Sequence, residues 1–358
     1  MRSSDASTAD GASEVERDGQ HTPDASSSVD PPSRAATRTT RVLSAMRPHC
    51  AIAAWTVVLL LLLPPLVLFI VVSARSVDMW PDEKYGPSNV NGIRYCEPLH
   101  NESALMEPIN SWSNLVYSGV GAGSCGLAVN DVLRSPSPLS CVSFPFGPRL
   151  PENPLLGFIC GLSWVGLGLT SFLFHASHKE IWWQLDVGFT NAAVVCAVCW
   201  SVLSQSLQLC KPSHRNAAVA SVAMAALLVL TDALLFVFKF ELEASVTVTI
   251  LIALLAFFEI VAQPLLDGKS RRQWCLTIAA FLSMLVAYVV RSLEVEWGRP
   301  LCLYSEWFQP HAVWHVLTGT AIALIVIAWR SPYPPNAKPL WRRSLRRRTR
   351  SATSASQI

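Results

Sequence analysis

The sequence predicts an all-α, polytopic membrane protein: seven transmembrane helices preceded by one additional N-terminal helix. Three observations carry that prediction. Of 358 residues 51% are hydrophobic and only 15% charged, with a mean hydropathy of +0.35, which is too apolar for a soluble domain and too clustered for a disordered chain. The apolar residues fall into eight stretches, each close to the roughly 20 residues a helix needs to cross a hydrocarbon core of about 30 Å. Finally, Lys and Arg alternate between successive loops as they do in a chain threaded back and forth through a bilayer.

In order along the chain, residues 1–48 form a tail rich in Ser, Thr, Asp, Ala and Pro, without aliphatic periodicity. Such a segment buries too little surface to fold and is expected to be disordered. Residues 49–74 contain WTVVLLLLLPPLVLFIVV, which lies too far into the chain for a signal peptide and lacks a convincing cleavage site. It reads as a retained anchor. Residues 75–108 form an entry segment, 109–330 the seven-helix core, and 331–358 a basic tail. The eight apolar stretches are Ala51–Ser73, Ile109–Asp131, Leu155–Phe174, Ile181–Leu203, Asn216–Phe238, Ala244–Leu266, Trp274–Val290 and Pro310–Trp329. The second and seventh carry polar residues.

Alternate assignment of the loops puts Arg34, Arg38, Arg41, Arg47, Arg134, Arg149, Lys211, Arg215, Lys269, Arg271, Arg272 and the run KPLWRRSLRRRTR on one side. The other side receives Arg75, Lys84, Arg94, Lys179, Lys239, Arg291 and Arg299 among many Asp and Glu residues. Both termini are therefore expected in the cytosol, and the acidic side in an endomembrane lumen or outside the cell. The basic tail is read as a topological or anionic-lipid feature, with no nucleic-acid partner.

Thiols pair stably only on an oxidising side. Of ten cysteines, Cys125, Cys160, Cys196 and Cys199 lie inside apolar stretches, and Cys50, Cys141, Cys210 and Cys275 on the cytosolic side. Cys96 and Cys302 remain, both in loops assigned to the lumen, and are expected to form a disulfide. The sequon Asn101-Glu102-Ser103 lies in the same loop as Cys96. Cys196-x-x-Cys199 has metal or redox spacing, but inside an apolar helix it reads as packing.

Ionisable residues within spans are costly and mark function. Ser171 and His175 are four residues apart at the end of the third stretch, Asp186 opens the fourth, and His311 and His315 are four apart at the start of the eighth. Residues at i and i+4 share a helical face, so each histidine pairs with a group on its own face. Chain direction places all five residues at one depth, near the lumenal side. Three imidazoles leaving one position open are a catalytic zinc arrangement. In it Asp186 would act as general base or orient a ligand, and Ser171 would donate to a developing oxyanion. Single histidines at helix ends are ordinarily packing residues, and His100, His178 and His214 are read so. Asp232, Glu259 and Arg291 are read as helix-pairing residues as readily as functional ones.

Ser171-x-x-x-His175, then Asp186, then His311-x-x-x-His315-x-Leu317-Thr318-Gly319 resemble the signature of the alkaline ceramidases, a family within a superfamily of seven-helix membrane zinc hydrolases. Cys96-Glu97 followed by Glu107-x-x-Asn110-x-x-Ser113-Asn114 resembles that family's entry segment. The resemblance implies hydrolysis of the ceramide amide to a sphingoid base and a fatty acid, with Zn2+ on His175, His311 and His315. It further implies Asp186 as the group that activates water, Ser171 as oxyanion support, and a Ca2+ site in the entry segment. Glu97 and Glu107 match that calcium site, whereas Arg94 and Leu99 stand where ligands are expected. Val187 also departs from the pattern. Two other readings are a hydrolase of another lipid, such as a glycolipid anchor, and a non-enzymatic seven-helix lipid receptor or sensor.

Overall fold

In the computed structural model the described residues are 34–73, 95–100, 103–134, 150–209, 214–238, 244–263, 269–295, 300–302 and 308–331. Most of the N-terminal tail, most of the entry segment including Arg94, the sequon's Asn101 and the C-terminal tail lie outside them. The chain divides into Met1–Ala45 and Met46–Ile358, and everything from Ile52 onward belongs to the second unit.

The described residues are mostly helical, with no β-strand among them. α1 spans Arg34–Ser73, α2 Pro108–Ser113, α3 Leu115–Arg134, α4 Pro154–Ser177, α5 Glu180–Leu209, α6 His214–Val237 and α7 Ala244–Ala256, with α8 at Arg271–Val295 and α9 at Pro310–Arg330. α1 starts at Arg34, well before the apolar stretch and inside the segment expected to form a disordered tail. Six helices are long and apolar enough to cross a membrane: α1, α4, α5, α6, α8 and α9. The protein is therefore a multi-pass membrane protein. α3 is 20 residues long but falls below that hydropathy level, and the apolar helix through α7, Val246–Ala262, is shorter.

Burial ranks these helices. The most apolar windows of α4 and α5 are 56% and 61% buried, against 11% in α1 and in α6, so α4 and α5 form the centre. Isoleucine, leucine and valine on α1 and α6, such as Ile52, Leu60, Val219 and Val229, are exposed. In a bilayer such surfaces face lipid tails, where exposure of an aliphatic side chain carries no penalty.

The weak hydropathy of α3 has a packing cause. A Cβ on Gly121 would lie 2.6 Å from the Gly161 carbonyl oxygen, and one on Gly161 would lie 2.5 Å from Cys125 Sγ. The backbones of α3 and α4 thus touch through glycine, which is how helices associate in lipid, where burial of apolar surface gives no drive between them. Glycines and serines that permit this contact lower the hydropathy of the segment that carries them.

α7 ends in a π-helical turn, Phe257–Ala262. Glu259 in that turn is buried and accepts hydrogen bonds from Ser201 Oγ at 2.6 Å on α5, Trp329 Nε1 at 2.8 Å on α9, and Lys269 Nζ just before α8. Arg330 at the end of α9 makes a two-pronged pair with Asp131 of α3, at 2.7 and 2.9 Å. These polar ties join helices at the end of the bundle opposite the histidines.

Candidate metal centre

α4 ends at Ser177, and His178 closes it in the left-handed conformation, φ 50°, with its N–H bonded to the Phe174 carbonyl. Histidine tolerates that conformation better than β-branched residues do. The chain then turns at once into α5. Across this corner runs the segment from Tyr95 to Glu107: Met106 N–H donates to Ala176 O at 3.0 Å and Glu107 N–H to His175 O at 3.1 Å. Backbone pairing thereby lays Glu107 beside the end of α4. Pro108 then starts α2, a proline being harmless at the first helical position. The free amides of α2 are taken by Glu97, whose carboxylate accepts from Ile109 N at 2.7 Å and Asn110 N at 2.8 Å.

Cys96 and Cys302 form a disulfide with Cα atoms 4.9 Å apart. It ties the entry segment to the chain between α8 and α9. Next to it, Cys96 N–H donates to Glu294 Oε1 at 3.1 Å, and the Tyr95 ring lies over His311 with centroids 4.0 Å apart.

His175 from α4 and His311 and His315 from α9 meet here, all three buried, with one nitrogen of each lying within 4.8 Å of the others. This is the metal-capable group of His, Cys, Asp and Glu among the described residues. Two of the histidines have their Nδ1 held by a hydrogen bond, and the third, His311, has its Nδ1 near a carboxylate without hydrogen-bond geometry. His175 Nδ1 is 2.6 Å from Glu107 Oε2, and since an ionised carboxylate can only accept, the imidazole carries its proton there. His315 Nδ1 is 2.7 Å from Ser113 Oγ. That hydroxyl spends its own proton on the Asn110 carbonyl at 2.7 Å, so it accepts from Nδ1–H. His311 Nδ1 is 3.3 Å from Glu294 Oε2. For His175 and His315 the proton on Nδ1 leaves the Nε2 lone pair available to an ion. An outer acceptor fixing the tautomer of each imidazole is the usual companion of a metal-ligating histidine. Three nitrogen donors in a buried pocket suit a zinc ion, which binds neutral imidazole.

Glu107 also lies 3.3 Å from His178 Nε2 and accepts from Asn110 Nδ2 at 3.2 Å. Burial acts to raise its pKa, but the contacts with His175 and His178 outweigh burial and lower it to about 2. Glu97 has the opposite balance: burial pushes it up to about 7 against its two backbone donors. The two glutamates matched to a calcium site therefore both have partners within the chain.

Asp186 stands outside the ligand set, half-buried, with Ser171 in hydrogen-bonding contact. All five residues singled out from the sequence lie at one end of the bundle. Ser113, Glu294 and His178 also belong to this site, yet the sequence reading gave them no role. Glu294 follows an apolar stretch and reads as a loop charge. His178 looks like an ordinary helix-end residue until the left-handed turn brings it to Glu107.

A groove of about 610 Å³ opens between α2 and α9, lined by Ile109, Trp112, Ser113, Val313, Val316 and Leu317 among others. Its lining includes Ser113, whose Oγ meets His315 Nδ1. Neither a protein-family model nor a curated protein matches the chain at a significant level.

Proposed function

We propose that the protein is an intramembrane zinc-dependent amidase that hydrolyses ceramide to a sphingoid base and a free fatty acid. The observation that carries this reading is the group of three buried imidazoles with one nitrogen of each within 4.8 Å of the others, two of them with Nδ1 engaged by a hydrogen bond. The order Ser171, His175, Asp186, His311, His315, with its resemblance to the alkaline ceramidases, supplies the reaction class. An apolar groove beside the centre suits a substrate with long alkyl chains. The resident architecture in this reading is seven spans, α3 to α9, with α1 as an additional anchor. Both termini face the cytosol and the metal centre faces the lumenal or extracellular side.

Zinc, when bound by His175, His311 and His315, supplies Lewis-acid polarisation of a carbonyl and lowers the pKa of water. The remaining work falls to the chain. Asp186 accepts the proton of the attacking water and passes it to the amide nitrogen as the C–N bond breaks, so the acyl carbon gains oxygen and the leaving amine gains hydrogen. Ser171 Oγ donates to the carbonyl oxygen as charge builds on it. The protonated Nδ1 atoms of His175 and His315 keep those two rings fixed through the cycle. Glu97 and Glu107 serve here in holding α2 and His175, and the chemistry requires nothing further of them.

The test is release of fatty acid from a panel of ceramides, acylglycerols and glycolipids by the purified full chain, with and without chelator, beside Asp186→Asn. Ceramides should be cleaved, chelation should abolish the release, and Asp186→Asn should slow it by at least about 10²-fold. Zinc-bound protein that releases fatty acid from none of the lipids would overturn the amidase reading in favour of a lipid receptor. Cleavage confined to another lipid class would overturn ceramide as the substrate.

A further inference from the structure

Arg291 lies near the end of α8, one turn before Glu294, at the level of the histidines. Its guanidinium sits over the Trp314 ring, 5.8 Å from the centroid. Its charge acts on Asp186, Glu294, His311, His315, Tyr95 and Tyr117. Yet it makes no ion pair or hydrogen bond with a described residue, and Nη1 is buried without a partner. An arginine cannot shed its charge, and it carries five donors in a planar fork. Inside a membrane span such a group is costly unless something anionic meets it. Trp314 covers one face of the fork, and Asp186 and Glu294 soften the charge from beyond contact. None of them fills the donors. The other charged side chains at this level, Glu107 and Glu97, are already bonded to His175 and to the amides of α2.

We propose that Arg291 is a ligand-binding residue that holds the carboxylate of a free long-chain fatty acid at the histidine centre. The assignment rests on the proposed hydrolysis for its choice of ligand, since a carboxylate is the anionic product formed at this position. A guanidinium fork matches a carboxylate with two parallel hydrogen bonds, and the apolar groove between α2 and α9, lined in part by Ser113 beside His315, offers apolar surface for the chain. Neutral amide substrate gains nothing comparable, so the product carboxylate binds more tightly than an uncharged chain of equal length.

The measurement is equilibrium binding of oleate and of oleyl alcohol to the purified full chain, with zinc content and disulfide recorded for every variant. Wild type is expected to prefer oleate by about tenfold or more, as a charge-assisted contact in a buried site warrants, and Arg291→Gln to erase that preference. Equal wild-type affinities, or a preference unchanged in Arg291→Gln, would overturn the assignment. Should Arg291→Gln not fold, Arg291→Lys takes its place, keeping the charge and losing the fork. It should bind oleate several-fold more weakly with oleyl alcohol unchanged, and undiminished oleate affinity would again overturn it. Binding is read without turnover. A chain that cleaves no lipid yet shows Arg291-dependent oleate preference would sink the amidase and leave this site, and a ceramidase indifferent to Arg291 would do the reverse.

Discussion

An imidazole offers one nitrogen to an ion reliably only when the other is held. At this centre two holders make hydrogen bonds, Glu107 before α2 and Ser113 at the end of α2, while Glu294 at the end of α8 lies 3.3 Å from His311 Nδ1 without hydrogen-bond geometry. Glu107 has the shortest contact. Replacing it with Gln keeps the size and removes the charge that fixes the His175 tautomer. Glu107→Gln should therefore weaken zinc binding by about 10- to 100-fold, measured by competition with a chelator of known affinity. An unchanged affinity would remove Glu107 from the orienting shell. The three histidines themselves were legible in the sequence, because histidines at i and i+4 in an apolar stretch stand out and chain direction sets their depth. Their supports were not. Glu294 acquires its role through the Cys96 amide, which lies 198 residues away in sequence, and no local pattern reports a contact of that separation.

At the scale of the helix, the decisive contact is between α3 and α4, since α3 continues from the segment that carries Glu107 and Ser113 while α4 carries His175. Gly121 and Gly161 allow these backbones to touch. Gly161→Leu would force them apart and should cost about 1–3 kcal/mol, the usual range for overpacking a filled interface. Lowered thermal stability in detergent checks it, and an unchanged unfolding temperature would mean that the contact is dispensable. The existence of α3 could be read from its length, though the glycines that make it pack also make it look less like a span. The π-helical turn after α7 was not readable. One extra residue shifts the helical period and rotates Glu259 inward, and a sequence pattern of 3.6-residue period shows only an apolar run with one acidic residue in it.

Across the whole molecule the polar chemistry divides between the two ends of the bundle. One end carries Glu259 with Lys269 and Asp131 with Arg330, charges paired within the chain, which fasten helices. The other carries the three histidines, Asp186 with Ser171, and Arg291, which is unpaired among the described residues, under a segment fixed by the Cys96–Cys302 disulfide. That pairing emerged from loop assignment alone, because only two of ten cysteines fell in loops on the oxidising side. In the proposed function His175, His311 and His315 hold a zinc ion. Elemental analysis of the purified full chain tests it most directly, beside a His311→Ala/His315→Ala variant whose disulfide and elution are intact. About one tightly held zinc per chain, lost in the double variant, is the predicted result; a wild type without zinc, or a double variant that retains it undiminished, would contradict the account.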